Sequence, residues 1–221
     1  HVQGDLRPQA SAGSVRVKHL KTDAEVIAWY RKVALFHESQ LTARDAGLPQ
    51  KDWFTMVEEV NDQGKAVRQK VERRVASREL SLLATDKDTR RLDLPQLQGG
   101  DPRPFEVVGI PLPEPGYQVV EIESRRLGAA LLDKDAPMYV RAGVLVTNLG
   151  VHFKQGRENG AVWVTSLDRG KPVADAEVAL SDCSGRRLWS GRTDASGLAR
   201  VPRGIEPNET CSDGESVFVS A

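Results

Sequence analysis

The sequence predicts a mostly β protein made of two antiparallel β-sandwich domains in tandem, the first carrying a helical insertion. Three observations lead there. From Gly143 onward, short apolar runs alternate with Gly-, Pro- and Asp-rich turns, at the spacing of about 10–14 residues that a sandwich requires. Further β-rich runs lie between Phe105 and Leu149, while helical periodicity is confined to the block from Ala24 to Val75. A length of 221 residues suits one large domain or two small ones.

Residues 1–13 are rich in Gly, Ala, Ser and Pro and read as a flexible start. The first domain is expected over 14–142, with its helical insertion at about 23–90. Ser14 to Leu20 alternates as a short strand. Thr22 or Asp23 can then cap a helix whose apolar face is Val26, Trp29/Tyr30, Val33 and Phe36. Gly47-Leu48-Pro49 ends that segment. A second helical stretch is expected with Trp53, Met56/Val57 and Val60 on one face and Asn61-Asp62-Gln63-Gly64 as its stop. Val67, Val71 and Val75 recur at i, i+4 and i+8 in a charged run, a thin stripe that implies a surface helix.

After Pro95, Phe105 to Val108 and Tyr117 to Ile122 are β-rich, and Pro115-Gly116 between them meets the demand of a type II turn. Met138 to Leu149 is another such run, crossing into the second domain at 143–221. There Ala161 to Leu167 and Ala176 to Ser181 read as strands separated by the Asp168–Pro172 turn, and Cys183-Ser184-Gly185 makes the next turn. Thr193 to Gly197 leads into Leu198 to Val201. Trp163, Val164, Leu167, Val178, Leu180, Leu188 and Trp189 are expected to form this domain's core. Its last strand runs to Ala221 without a turn, which reads as a domain truncated at its C-terminal end and a chain cut from a longer protein.

Charge excludes more than it suggests. The chain has 31 basic and 31 acidic residues, and 143–221 is separately balanced at 9 against 10. Nucleic-acid binding expects a strongly basic stripe, so that class is set aside. No run of apolar residues is long enough to span a bilayer. His37-Glu38-Ser39-Gln40-Leu41 opens like a zinc-protease helix, but Leu41 stands where the second His is required. Asp86-Lys87-Asp88 lacks the further oxygen ligands of a calcium loop, and Glu58 and Glu59, as neighbours on a helix, diverge by about 100°. No nucleophile elbow or phosphate loop occurs. The expectation is a non-enzyme with no catalytic residue, no metal and no cofactor. Cys183 and Cys211 are the only cysteines. They are a possible disulfide if the chain folds in an oxidising compartment; two buried or free thiols, or one reactive thiol, are the other readings.

The last eighty residues or so are more particular. Val144 to Lys154, Gly156-Arg157-Glu158, the Val162-Trp163-Val164-Thr165 strand, Ser166 to Val173 and Thr193-Asp194-Ala195-Ser196-Gly197 together resemble a macroglobulin domain of the bacterial alpha-2-macroglobulins. Ile110-Pro111-Leu112, Gly116 to Ser124 and Leu127-Gly128 resemble the closing strands of a preceding domain in that family, joined by Pro137 to Val140. The resemblance implies tandem macroglobulin, fibronectin-III-like sandwiches and a structural role. It also implies an exported, periplasmic parent, anchored to the membrane, that traps proteases and protects the cell envelope. Partners implied are neighbouring domains of the parent, the proteases trapped by it and a cell-wall synthesis enzyme, with no nucleic acid and no direct membrane insertion. Cys211-Ser212-Asp213-Gly214-Glu215 does not meet the Cys-x-Glu-Gln requirement of a thioester. The rival reading is an Ig- or fibronectin-like binding module of a cell-surface adhesin or cell-wall-associated scaffold.

Overall fold

The structure, a computed structural model, describes residues 2–3, 14–62, 64–93, 105–106, 109–132, 134–206, 208, 210–211 and 217–221. Contacts divide the chain into two compact units. The first comprises His1–His19, Lys32–Pro111 and Gln118–Val144, and the second Leu20–Arg31, Leu112–Tyr117 and Leu145–Ala221.

Among the described residues the first unit holds, in chain order, β1 (Val2–Gln3), β2 (Ser14–His19), β3 (Gln40–Thr42), β4 (Phe54–Val60), β5 (Ala66–Glu72), β6 (Arg74–Ala76), β7 (Thr89–Asp93), β8 (Phe105–Glu106), β9 (Gly116–Ser124) and β10 (Met138–Val146). β9 begins and β10 ends among residues grouped with the second unit. The main sheet has the order β10-β9-β2-β7, and β1-β8, β3-β6 and β4-β5 are two-stranded. Apart from Val2–Gln3, paired with Phe105–Glu106, the expected flexible start lies outside the described residues, as do Val107 and Val108. A helix α2 (Arg125–Leu131) links β9 to β10, capped by Ser124, whose Oγ accepts from Leu127 N at 3.2 Å.

The expected helical insertion is corrected. Helix α1 (Asp23–Leu35) forms, but Phe54–Val60 and Ala66–Glu72 are the two strands of a β-hairpin and Val75 lies on β6, paired with β3, where a pair of helices was expected. β4 and β5 pair in register from Phe54↔Glu72 to Val60↔Ala66. The residues taken as a helix stop make the turn: Asn61 O accepts from Gly64 N at 2.8 Å and Asn61 Oδ1 from Lys65 N at 2.9 Å. The reason lies in arithmetic. A spacing of i, i+4 is even, so Val67 and Val71 share a strand face as readily as a helix face. β-branched residues then favour the strand.

The helix that does form has a reciprocal capping box. Thr22 Oγ1 accepts from Glu25 N at 3.2 Å, and Glu25 Oε2 accepts from Thr22 N at 3.2 Å and Lys21 N at 2.9 Å.

The second unit is the sandwich expected from the turn spacing. One sheet has the order β11-β12-β15 (Leu149–Gln155, Gly160–Ser166, Leu198–Val201) and the other β14-β13-β16 (Arg187–Arg192, Glu177–Asp182, Val217–Ser220). Every strand pairing within them is antiparallel. Val162, Val164, Val178, Leu180, Ala199 and Val201 form the buried core, with Leu149, Val151, Phe153, Trp189, Val217 and Val219 packed against it. The turn before β15 needs glycine. Gly197 has φ +76°, and a Cβ there would sit 2.6 Å from Val164 O.

Two expected core residues are corrected. Trp163 is 43% exposed and Leu167 61% exposed. Residues 161–164 are apolar without interruption, so sequence cannot choose which alternate set points inward. The fold buries Val162 and Val164 and turns Trp163 outward. Val164, Val178 and Leu180 are buried as expected, while Leu188 and Trp189 are half-buried. Trp163→Ala is therefore expected to lower stability by about 1–2 kcal/mol, short of the about 3–5 kcal/mol of a buried aromatic truncation, whereas Leu180→Ala should cost about 2–5 kcal/mol. Urea unfolding of both variants checks this. A loss for Trp163→Ala equal to that for Leu180→Ala would contradict the outward placement.

Candidate functional site

For a chain whose expected role is structural, the residues of interest are those that hold each unit in one shape. In the second unit, the turn after β13 and the segment leading to β16 are joined by Cys183–Cys211, with S–S 2.07 Å and Cα–Cα 5.6 Å. Both ends of the bridge are pinned, the Cys211 end by Cys211 N donating to Asn208 O at 2.9 Å. Cys183 N donates to Cys211 Sγ at 3.2 Å. Asp182, immediately before it, is fully buried and accepts from Ser184 N at 3.0 Å, Ser184 Oγ at 2.5 Å, Arg186 N at 3.1 Å and Arg186 Nε at 3.0 Å. The Ser184 hydroxyl, Arg186 and the two backbone amides together hold the Asp182 carboxyl at about 2, against the opposing effect of burial.

The sign of that shift gives a pH dependence. The folded carboxyl ionises below the about 3.9 of an unfolded Asp, so its contribution is present above that value and lost as pH falls through about 2. Asp182→Asn has no carboxyl to titrate there, so it should be less stable than the parent sequence above about pH 4 and lose less stability as pH falls to about 2. The expected result is a flattened acid limb between about pH 4 and 2, read by circular dichroism. An unchanged limb would remove Asp182 from the acid response.

Residues far away in sequence cover the outer face of this sheet. Ala24 approaches the turn so closely that a Cβ on Gly185, at φ +83°, would lie 2.9 Å from Ala24 Cα. Arg31 Nη1 donates to Cys183 O at 3.3 Å, and Ser220 Oγ donates to Asp23 Oδ2 at 2.8 Å. Tyr30 meets Phe218 edge-on at 5.9 Å between ring centroids. Phe218 and Ser220 share one face of β16, opposite Val217 and Val219, which face the core. The helix expected inside the first domain thus contributes residues 23–31 to the second unit. Nothing in its periodicity signals which partner its apolar face will meet.

The first unit has a buried charged centre that sequence reasoning missed. Glu121 on β9 is fully buried and takes Leu82 N at 2.6 Å, Leu83 N at 3.3 Å and the Ser81 hydroxyl. Arg141 on β10 puts Nε 3.6 Å from Glu121 Oε2, their side chains 4% and 0% exposed. Its Nη1 donates to Phe36 O at 3.4 Å and its Nη2 to Leu80 O at 2.7 Å and Ser77 O at 3.2 Å, while the guanidinium lies over the Phe36 ring at 5.2 Å. Among the described residues Arg141 Nε has no hydrogen-bond partner. Burial lowers the Arg141 pKa from the ordinary guanidinium range, and the charge of Glu121 opposes that shift. Alongside, Lys18 Nζ lies 3.0 Å from Asp86 Oδ1, which also accepts from Asp88 N at 2.9 Å. The Asp86–Asp88 segment is thus part of the wall around the polar face of β2 and β9.

His37 and Glu38 are exposed in the turn after α1. Among the described residues no group of three or more His, Cys, Asp or Glu side chains could hold a metal ion. No helix among them is long and apolar enough to cross a membrane.

Residues 146–221 match the family model of the bacterial alpha-2-macroglobulin MG3 domain. This stretch is a macroglobulin domain of the bacterial alpha-2-macroglobulin family. The match covers the described sandwich strands, the disulfide and the Asp194–Gly197 turn. Two crystal structures of native alpha-2-macroglobulin from Escherichia coli are similar to the chain as a whole. One spans domains NIE-MG1, with 13% identity, 94% of this chain and 82% of that chain covered, and a TM-score of 0.47. The other spans MG0-NIE-MG1, with 14% identity, coverage of 94% and 54%, and a TM-score of 0.42. No curated protein matches the chain. In the macroglobulin domain Cys211 is bonded to Cys183, so its sulfur is engaged in the bridge and is not a thioester sulfur.

Proposed function

We propose that the chain is a non-catalytic structural segment of a longer, exported bacterial alpha-2-macroglobulin that traps proteases and protects the cell envelope. The match of residues 146–221 to the MG3 domain carries this reading. The bridge between Cys183 and Cys211 supports it independently, because such bonds persist in oxidising compartments such as the periplasm. On this reading the segment supplies rigid wall. A disulfide, a helix bonded across a sheet and a buried ion pair all restrict shape, and none presents a nucleophile or a metal to a substrate.

Trapping makes a distinctive prediction. A protease held in the intact parent should still cleave a small chromogenic peptide but lose activity on a large protein such as casein, which cannot enter the trap. The 221-residue chain alone should leave both activities unchanged at equimolar ratio. Full casein cleavage in the presence of the parent would overturn the trapping reading. Inhibition by the chain alone would favour the binding module instead.

A further inference from the structure

Among the described residues no third strand pairs with either strand of the β4–β5 hairpin, and a lone two-stranded hairpin is at best marginally stable in water. Its bonding pattern follows from its two ends. Asn61 N donates to Lys65 O at 3.0 Å, and Arg73 N donates to Trp53 O at 2.8 Å. The bonded pairs therefore fall on every second register position between them. Thr55, Val57 and Glu59 bond to β5, and the N–H and C=O groups of Phe54, Met56, Glu58 and Val60 point out from the β4 edge. The matching outward positions on β5 are Ala66, Arg68, Lys70 and Glu72.

The two edges differ in chemistry. An unpaired edge is a template for another strand, and charged side chains on it, lysine above all, oppose that pairing. A two-fold pairing of β5 with its own copy that joins all four outward positions is centred on Gln69. It sets Arg68 opposite Lys70 twice, which like charge disfavours. The corresponding pairing of β4 is centred on Val57. It sets Phe54 opposite Val60 of the second copy, Met56 opposite Glu58, and Val57 opposite itself, with every outward backbone group in a bonded pair. Phe54, Met56 and Val60 are 43%, 59% and 71% exposed and gain apolar cover there. Glu58 keeps Arg68 of its own hairpin at 3.6 Å, and Lys70 Nζ stays over the Phe54 ring at 4.6 Å.

We propose that two copies of this chain associate along β4, antiparallel about a two-fold axis at Val57, in a four-stranded sheet ordered β5-β4-β4-β5. Addition stops at two copies, because both β4 edges are consumed and the edges left over carry Arg68 and Lys70. β4 supplies 7 residues a side, against about 20–30 in a standard interface, so the association is weak and depends on concentration. It stands independently of the trapping reading.

Sedimentation velocity of the 221-residue chain over a concentration series should show a reversible monomer–dimer equilibrium. Met56 separates contacts within a hairpin from contacts between copies. It lies opposite Lys70 in its own hairpin and opposite Glu58 across the two-fold axis. Met56→Glu and Met56→Lys lose the same side chain at an exposed position, so their difference isolates charge. Met56→Lys should dimerise about 5-fold or more tightly than Met56→Glu, since the favourable or repelling pair with Glu58 occurs twice per dimer. An effect transmitted only through Lys70 gives the opposite order. Val57→Cys should form a disulfide between copies under mild oxidation, because facing non-bonded positions bring Cα atoms to about 4.5 Å, within reach of the bond. Gln69→Cys, paired with Val57 in the hairpin register, should not. A chain that stays monomeric at about 1 mM, growth beyond the dimer, equal or reversed order of the Met56 variants, or a link through Gln69→Cys and none through Val57→Cys would each overturn the proposal.

Discussion

Glu121→Ala should destabilise the first unit by about 3–5 kcal/mol, the range for breaking a buried ion pair by removing one partner. The carboxylate does three things at once. It balances Arg141, accepts from Leu82 N and Leu83 N, and anchors the Ser81 hydroxyl. With it gone, two backbone N–H groups and a buried cation lose their acceptor, each at the cost of an unsatisfied buried polar group. Arg141→Ala should cost less than its partner, because Glu121 keeps its three donors. The pair replaced together, Glu121→Leu with Arg141→Met, should recover much of the loss, since apolar residues of similar volume often substitute for a buried pair without penalty. Peptide-resolved hydrogen exchange under increasing urea is the measurement, with protection falling in β2, β9 and β10 and not in β13. A loss below about 1 kcal/mol for Glu121→Ala would show that the centre contributes little beyond an exposed pair.

Reduction of the Cys183–Cys211 bridge, or Cys183→Ser with Cys211→Ser, should cost the second unit about 3–4 kcal/mol. The bridge spans a sequence separation of 28, and closing a loop of that size restricts the unfolded chain by about this amount. For a domain of this length each kcal/mol moves Tm by about 4–8 °C, so a fall of roughly 20 °C is expected in calorimetry. The sheet should feel it locally. β16 pairs with β13 from Ala179↔Ser220 to Asp182↔Val217, and the bridge sits just beyond the last of those pairs, so exchange protection should fall first in Val217–Ser220. A Tm that moves by less than about 5 °C on reduction would mean that pairing and core packing hold β16 without the bond.

Much of the second unit was legible because turn chemistry is local. Gly170, Gly185 and Gly197 all adopt positive φ, at the three turns read from Gly and Asp spacing, and Asp194 closes its turn through its own side chain. The resemblance to a macroglobulin domain included Gly170, Asp194 and Gly197, and the family match covers them. The packing centres were not legible in the same way. Glu121 and Arg141 are two of many charged residues in a chain where 28% are charged, and nothing near either one signals burial. What buries them is the segment 77–83 lying across β9, a contact made about 40 residues away in sequence.

The sequence by itself determined the β class, the turns of the sandwich, the helix starting at Thr22 or Asp23 and the type of module at 146–221. Each of these depends on residues within a few positions of one another, where dihedral preference and side-chain-to-backbone bonding act directly. Only the tertiary structure decided that Val162 and Val164 point inward and Trp163 outward, that 54–72 pairs as a hairpin, that residues 23–31 cover a sheet near Phe218 and Ser220, and that Glu121 meets Arg141. Each depends on a contact or a facing that residues close in sequence do not specify. For Val162, Val164 and Trp163 burial of the core decides, since one register fills the space between the sheets and the other leaves it open.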